Sequence, residues 1–400
     1  MNNFLAKLLF LAILVSACWG TFAMYKNMTS NDQPYAVSNI IKINHTNPGP
    51  TLPLQTYDGQ LVQVALLLDV SGSMDGLINQ ARTELWRVVS SLAEMSSAEE
   101  ESRLEIALYA YGRSGAAQTI FKLSDFTTDL DVVSEKLYGL QTNGGEEYCG
   151  QVIHEALTNL TWKKGKSGGR FICIAGNEPF TQGSFPYEKA CSMAMANDIV
   201  VNTIYCGDKM TGSMSGWKDG AQVGGGEYFA INHNQNSIIA SPYDDEIASY
   251  NTRFNDTYYN YTASGSANYT RQSTEDKNNF DANGNAGLAD RAKSKMSKFY
   301  FNSHWDLVDA VEDGTVNIDS LAVEGTYQWE NAPAEIKEKT AKELKAEVAK
   351  RKADRDQFRV QIETLTAQRD SFVAVQRASQ NAPASLGDAL NTSFKKKLKK

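Results

Sequence analysis

One carboxylate and two hydroxyls at every second position, in Asp69-Val70-Ser71-Gly72-Ser73-Met74, are the residues of this chain best spaced to do chemistry. Leu66-Leu67-Leu68 leads straight into them. A buried strand would deliver Asp69 at its carboxyl end, Gly72 would let the backbone turn tightly, and Ser71 and Ser73 could then aim their oxygens at one point. An all-oxygen, weakly charged set of this kind suits magnesium or manganese, which keep several waters and seldom need a complete protein cage. The same spacing also makes an ordinary helix cap, with Ser73 or Asp75 bonding free backbone N–H groups. Position after a buried strand favours the metal.

Other chemistries find less support. There is no nucleophile elbow and no His-rich zinc set, and His45, His154, His233 and His304 are scattered. Asp69 is followed by Ser71 rather than a second aspartate, which argues against a paired-carboxylate phosphoryl-transfer site. A binding role is therefore expected rather than catalysis, with a metal-free scaffold and a metal-dependent hydrolase of an envelope polymer as the rival readings.

The elements that must position these residues follow from apolar periodicity. Strand-length runs at Leu61–Asp69, Leu104–Tyr111, Gln118–Leu123, Arg170–Ile174, Ile199–Cys206 and Glu227–Ile231 alternate with amphipathic stretches. Ile78, Ala81, Leu85, Val88, Val89 and Leu92 form one stripe of a helix over about 74–95, and Val152, Ile153, Ala156, Leu157 and Leu160 repeat the pattern. This predicts an α/β fold with a doubly wound, mostly parallel six-stranded sheet. Gly112-Arg113-Ser114-Gly115 reads as a hairpin turn, which puts one antiparallel strand at an edge.

Val64-Ala65-Leu66-Leu67-Leu68-Asp69-Val70-Ser71-Gly72-Ser73-Met74 resembles the first motif of the von Willebrand factor type A family, whose metal-ion-dependent adhesion site begins Asp-x-Ser-x-Ser. The resemblance runs over about 57–233 and implies that family's Rossmann-like fold. It also makes Thr142, in Leu140-Gln141-Thr142-Asn143-Gly144-Gly145, the counterpart of the second motif's threonine. The third motif departs from the family. Where members carry Thr-Asp-Gly, this chain has Ala175-Gly176-Asn177-Glu178, so Gly176 replaces the acidic residue. Asn177 or Glu178 could offer an oxygen instead, with Glu146 or Glu147 on the same rim, and Gly176→Asp is expected to tighten magnesium binding. In the family the ion's open position accepts an acidic group, so the resemblance implies a protein or glycan partner that offers one.

The flanks divide by composition. Residues 1–25 read as a signal peptide or a membrane anchor: Val15-Ser16-Ala17-Cys18 looks like a lipobox in which Cys18 is lipidated, whereas Leu8–Tyr25 is just long enough to span uncleaved. Either route places the protein outside the cytoplasm, tethered to a membrane through its N-terminus. Residues 26–57 read as a linker and 58–235 as the type A-like domain. Residues 236–287 read as a polar Tyr- and Asn-rich arm, whose rings either pack it onto the domain or offer a partner surface. Residues 288–332 are a helical connection and 333–380 one long helix with a partial coiled-coil seam, interrupted by Arg351, Arg355 and Arg369, that could self-associate. Residues 381–400 read as a disordered basic tail. In an oxidising compartment Cys149, Cys191 and Cys206 are available for a disulfide, with Cys173 placed inside a strand. A net charge of −8 gives no reason to expect nucleic acid.

Overall fold

Strand β1, Gln55–Asp69, turns Val62, Val64, Leu66 and Leu68 to one face and Ala65 and Leu67 to the other, and all of them are buried. A strand apolar on both faces belongs in the middle of a covered parallel sheet. That is its place in the computed structural model, which describes residues 52, 54–95, 102–113, 119–231, 239–321, 332–379 and 386–398. Further strands are β2 (Ser102–Tyr111), β3 (Ile120–Thr127), β4 (Lys163–Gly176), β5 (Ile199–Cys206) and β6 (Gly225–Ile231). The sheet order is β3-β2-β1-β4-β5-β6, parallel except for β3, which runs antiparallel at one edge beside β2. The α/β, doubly wound expectation is therefore met. Strand order reverses at β1, so the carboxyl end of β1 opens at the crevice where such sheets place their sites.

Helices α1 (Ile78–Met95) and α2 (Leu130–Tyr138) cover one face. Helices α3 (Cys149–Asn159) and α4 (Tyr187–Ala196) cover the other. Short helices α5 (Lys209–Met214) and α6 (Trp217–Val223) link β5 to β6. Cys206 lines the first core and Cys149 and Cys191 the second, with the sheet between them. All four cysteines from Cys149 to Cys206 are buried and free, so the expected disulfide among Cys149, Cys191 and Cys206 does not form. Each serves as a small apolar side chain.

The segment expected as an irregular polar arm is helical. It forms α7 (Asp244–Asn255) and α8 (Gly265–Lys295), the latter kinked at Gly284 (φ 61°, ψ −152°). Most of its tyrosines pack inward, although Tyr269 stays exposed: Tyr258 stacks on Trp305 at 5.3 Å, and Tyr250 lies 6.3 Å from Phe358. Short helices α9 (Leu307–Glu312), α10 (Ile318–Leu321) and α11 (Ala334–Lys337) precede the 39-residue α12 (Ala341–Ser379), so the long helix starts later than residue 333. Arg355 and Arg369, read as interruptions of a seam, are buried in ion pairs instead. The basic tail is also ordered over α13 (Leu386–Leu398), because Leu386, Leu390 and Phe394 recur every fourth residue and enter the core. Phe394 meets Phe171 of β4 edge-to-face at 4.5 Å.

Among the described residues no helix is long and apolar enough to cross a membrane. Cys18 and the rest of residues 1–25 lie outside the described residues, as does most of the linker.

Candidate metal centre

At the end of β1 the backbone is pinned from both sides. Val70 N–H donates to Tyr111 O (2.8 Å), and Asn143 N–H donates to Val70 O (2.8 Å), which draws the second-motif loop against the first. Asp69 is fully buried, and its Oδ1 accepts the Ser71 N–H at 2.8 Å. Oδ2 has no hydrogen-bond partner. Burial pushes the Asp69 carboxyl up to about 7, against the lowering effect of the Ser71 backbone and side-chain hydrogen bonds. Gly112, at φ +83°, allows this packing, because a Cβ there would stand 2.6 Å from Asp69 Oδ1.

The hydroxyls converge as their spacing predicts. Ser71 Oγ and Ser73 Oγ are 2.8 Å apart, and Ser73 Oγ donates to Asn177 Oδ1 at 2.9 Å. Asn177 Nδ2 returns a bond to the Ser73 carbonyl at 2.9 Å, so the third-motif loop is clamped onto the first. Neither Ser71 nor Ser73 caps a helix through its side chain at the 3-10 turn Gly72–Met74. Thr142 comes to the same end of the sheet, but its hydroxyl bonds Asp75. Glu178 contributes its backbone carbonyl, which accepts the Trp217 indole N–H at 2.7 Å, while its charge is felt by Glu147.

Two contributors are less visible in the sequence. Glu147, just before α3, is 6% exposed, and burial, with the nearby charges of Glu178 and Glu146, raises its carboxyl. The glycine-rich Asn143–Gly145 stretch and the Glu146-Glu147 pair were the only signals for it. Tyr111, from β2, closes the third-motif side: its hydroxyl donates to Ala175 O at 3.0 Å. A Cβ on Gly176 would stand 2.5 Å from that hydroxyl and 3.0 Å from Asp69 Oδ2. The expectation that Gly176→Asp would tighten magnesium is corrected by this geometry, since Tyr111 already fills the space an added carboxylate would need.

Among the described residues no group of three or more His, Cys, Asp and Glu gathers as a metal site. The cluster at β1 is of another kind, built from hydroxyls, one amide oxygen and carboxylates. Its donor set fits a hard cation: the hydroxyls can donate to carboxylate and amide oxygens while keeping lone pairs, and Asp69 Oδ2 is a buried, unpaired acceptor.

Residues 63–204 match the family model for the von Willebrand factor type A domain. No curated protein matches the chain. Among solved structures, proximal thread matrix protein 1 of the mussel byssus is 9% identical over 44% of this chain and 42% of its own, with a TM-score of 0.33. This chain thus covers less than half of that protein, which has also been crystallised with zinc in its metal site. An aerotolerance-related membrane protein of Bacteroides fragilis is 19% identical over 44% of this chain and 94% of its own, with a TM-score of 0.30. The vWF domain of the type V pili tip protein Mfa5 of Porphyromonas gingivalis is 12% identical over 44% and 91%, with a TM-score of 0.32. Together with the Asp69-x-Ser71-x-Ser73 motif at the switch point of a doubly wound sheet, the match establishes that this chain carries a von Willebrand factor type A domain.

Proposed function

We propose that the protein is a membrane-tethered, extracytoplasmic binding or scaffold module that engages a protein or glycan partner through a divalent cation at the head of β1. The observation that carries this reading is the buried Asp69 carboxylate with an unpaired Oδ2 beside the joined hydroxyls of Ser71 and Ser73. Ser71 and Ser73 would hold the ion, Asn177 and Thr142 would flank it, and Asp69 and Glu147 would supply the charge. Glu178 stands at the rim. A bound magnesium or manganese would offer an open coordination position to an acidic group of the partner. The chain's own residues keep the hydroxyls in register: Asn177 clamps Ser73 from both its amide atoms.

Titration calorimetry of magnesium and of manganese into the full-length protein tests this. Saturable binding lost by about tenfold or more in Asp69→Ala is expected, because the main nearby charge is gone. No heat in the folded parent, or equal heat in Asp69→Ala, sinks the metal reading. A metal-free scaffold is then the alternative, and one feature favours it: the third-motif carboxylate is replaced by Gly176, with the Tyr111 hydroxyl against it. Tethering rests on Val15-Ser16-Ala17-Cys18. Intact-mass analysis of membrane-extracted protein should show lipid on Cys18, whereas a retained Met1 would establish the uncleaved anchor.

A further inference from the structure

Strands β1 and β4 run past their neighbours at the end of the sheet opposite Asp69. β1 starts at Gln55, but β2 joins it only from Gln60. β4 starts at Lys163, but β5 joins it only from Arg170. Over this overhang Gln55, Thr56 and Tyr57 pair with Lys163, Lys164 and Gly165, and after a register shift the pairing resumes at Gln60 and Ser167. The result is a two-stranded parallel ribbon that, among the described residues, has no strand on either outer side. Two strands alone are marginal in water, and a bare edge presents backbone N–H and C=O groups to any strand that can reach them.

The β4 edge has room beside it. A cleft of about 570 Å³ runs along residues 163–171 and is bounded opposite by Met195, Asp198 and the Gly224-Gly225 turn. A strand laid there would continue the line of β5 backward beyond Ile199. The chain itself leaves that line at Asp198, whose φ of 55° no strand can adopt. The template is firm, because a Cβ on Gly168 would overlap Leu61 O, so glycine lets β4 lie close against β1.

The edge is basic. Lys164 and Lys166 are two residues apart on one face of the strand, the spacing at which alternate residues of an added strand face the same way. Lys164 is exposed and has no ion pair among the described residues. Lys166 meets Asp58 at 2.5 Å, but the two side chains are 70% and 86% exposed, and an ion pair so open to solvent contributes little and is readily exchanged. Lys163 and Arg170 are matched by Glu105 and Asp198 and add no free charge.

We infer that the β4 edge over residues 164–168 accepts an extended acidic segment of a partner protein as a third strand. Its backbone completes the ribbon, and its carboxylates at alternate positions lie beside Lys164 and Lys166. Lysines on an open edge deter neutral and basic strands, and the same charges admit an acidic one. A second copy pairing edge to edge would set these lysines against each other, so charge selects against self-pairing. The surface lies at the opposite end of β1 from the candidate metal centre and does not depend on it.

Titrating the full-length protein into a short fluorescein-labelled peptide of alternating glutamate and valine, read by anisotropy, tests this. Saturable binding is expected, weakened about tenfold or more in Lys164→Glu, an exposed change that leaves the fold alone. A peptide of alternating lysine and valine should be refused by the parent and accepted by the Lys164→Glu, Lys166→Glu double variant, an exchange that misfolding cannot produce. Methylating the peptide's backbone nitrogens should abolish binding, because the added strand pairs through them. On saturation, amide exchange should slow within residues 164–168, and Asp69→Ala should leave the affinity unchanged. No saturable binding, equal binding of the methylated peptide, indifference to Lys164→Glu, or protection confined to the edge strands β3 and β6 would overturn the inference. A concentration-dependent dimer that the peptide dissociates would assign the edge to a second copy and overturn the partner.

Discussion

At the scale of single residues, the site is decided by which side chain fills the space above Gly176. The Tyr111 hydroxyl does so, bonded to Ala175 O, so a third-motif aspartate must displace it or strain the strand. Gly176→Asp is accordingly expected to cost about 2–3 kcal/mol of stability, an overpacking effect, with no gain in magnesium affinity. Tyr111→Phe alone should cost about 1 kcal/mol, the usual worth of one hydrogen bond. Combined, the two changes should cost less than their sum, because the phenyl ring leaves room that the phenol does not. Urea midpoints of the four proteins measure this cycle, and strict additivity would refute the clash. The first motif was legible in the sequence because strand, carboxylate and hydroxyls are contiguous. Tyr111 was not, because it reaches the site only through the pairing of β2 with β1, which no local pattern announces.

At the scale of elements, the long helix α12 shows how a periodic pattern can be read correctly and assigned the wrong partner. Leu344, Val348, Phe358, Ile362 and Leu365 do form a buried stripe, but it faces the protein's own α7, α9 and α10, so self-association would have to use the other side, where Val360 and Val375 are exposed. The arginines that break the stripe are its anchors. Arg355 bonds Asp306 at 2.7 Å and Asp309 at 2.5 Å and donates to Thr257, all of them buried. Arg369 holds Asp244 and Asp290. Sequence could not identify these pairs, since Asp306 and Asp244 lie 49 and 125 positions away. Removing one partner leaves carboxylates buried without compensation, so Arg355→Met should cost about 3–5 kcal/mol. Adding Asp306→Asn to it should recover part of that loss by removing one orphaned charge. Thermal unfolding of the single and double variants checks both statements, and a double variant less stable than the single would contradict them.

At the scale of the whole molecule, the type A sheet is completed by the far end of the chain. After β6 the polypeptide passes through α7 to α12 before α13 returns to lay Leu390 and Phe394 against β4 and α1. Phe394 is fully buried, so Phe394→Ala should destabilise the sheet itself by about 3–5 kcal/mol, although it lies outside the 63–204 match. Limited proteolysis should then release α13 first. The lysine run hid this helix from sequence reasoning, because charge composition outweighed three apolar residues at helical spacing. The helical region after β6 also holds two buried carboxyls that make stability depend on pH. Burial opposes ionisation of Asp276, but Lys295 and Arg291 more than offset it and hold the carboxyl at about 2. Its folded value is depressed, so its contribution, about 2 kcal/mol, is present above pH 4 and is lost as the pH falls toward 2. Asp309 behaves oppositely: burial and the Asp306 charge push it up to about 7 against the pull of Arg355. There the folded state binds a proton the unfolded chain does not, so stability rises as the pH falls from about 8 to 5. The urea midpoint should therefore pass through a maximum near pH 4 to 5 and drop steeply below it. The buried Asp69, also pushed up to about 7, adds to the same alkaline limb. Asp309→Asn should therefore make that limb shallower, and Asp309→Asn combined with Asp69→Asn should flatten it while the acid limb stays in place. A double variant that kept both limbs would show that another group governs the rise.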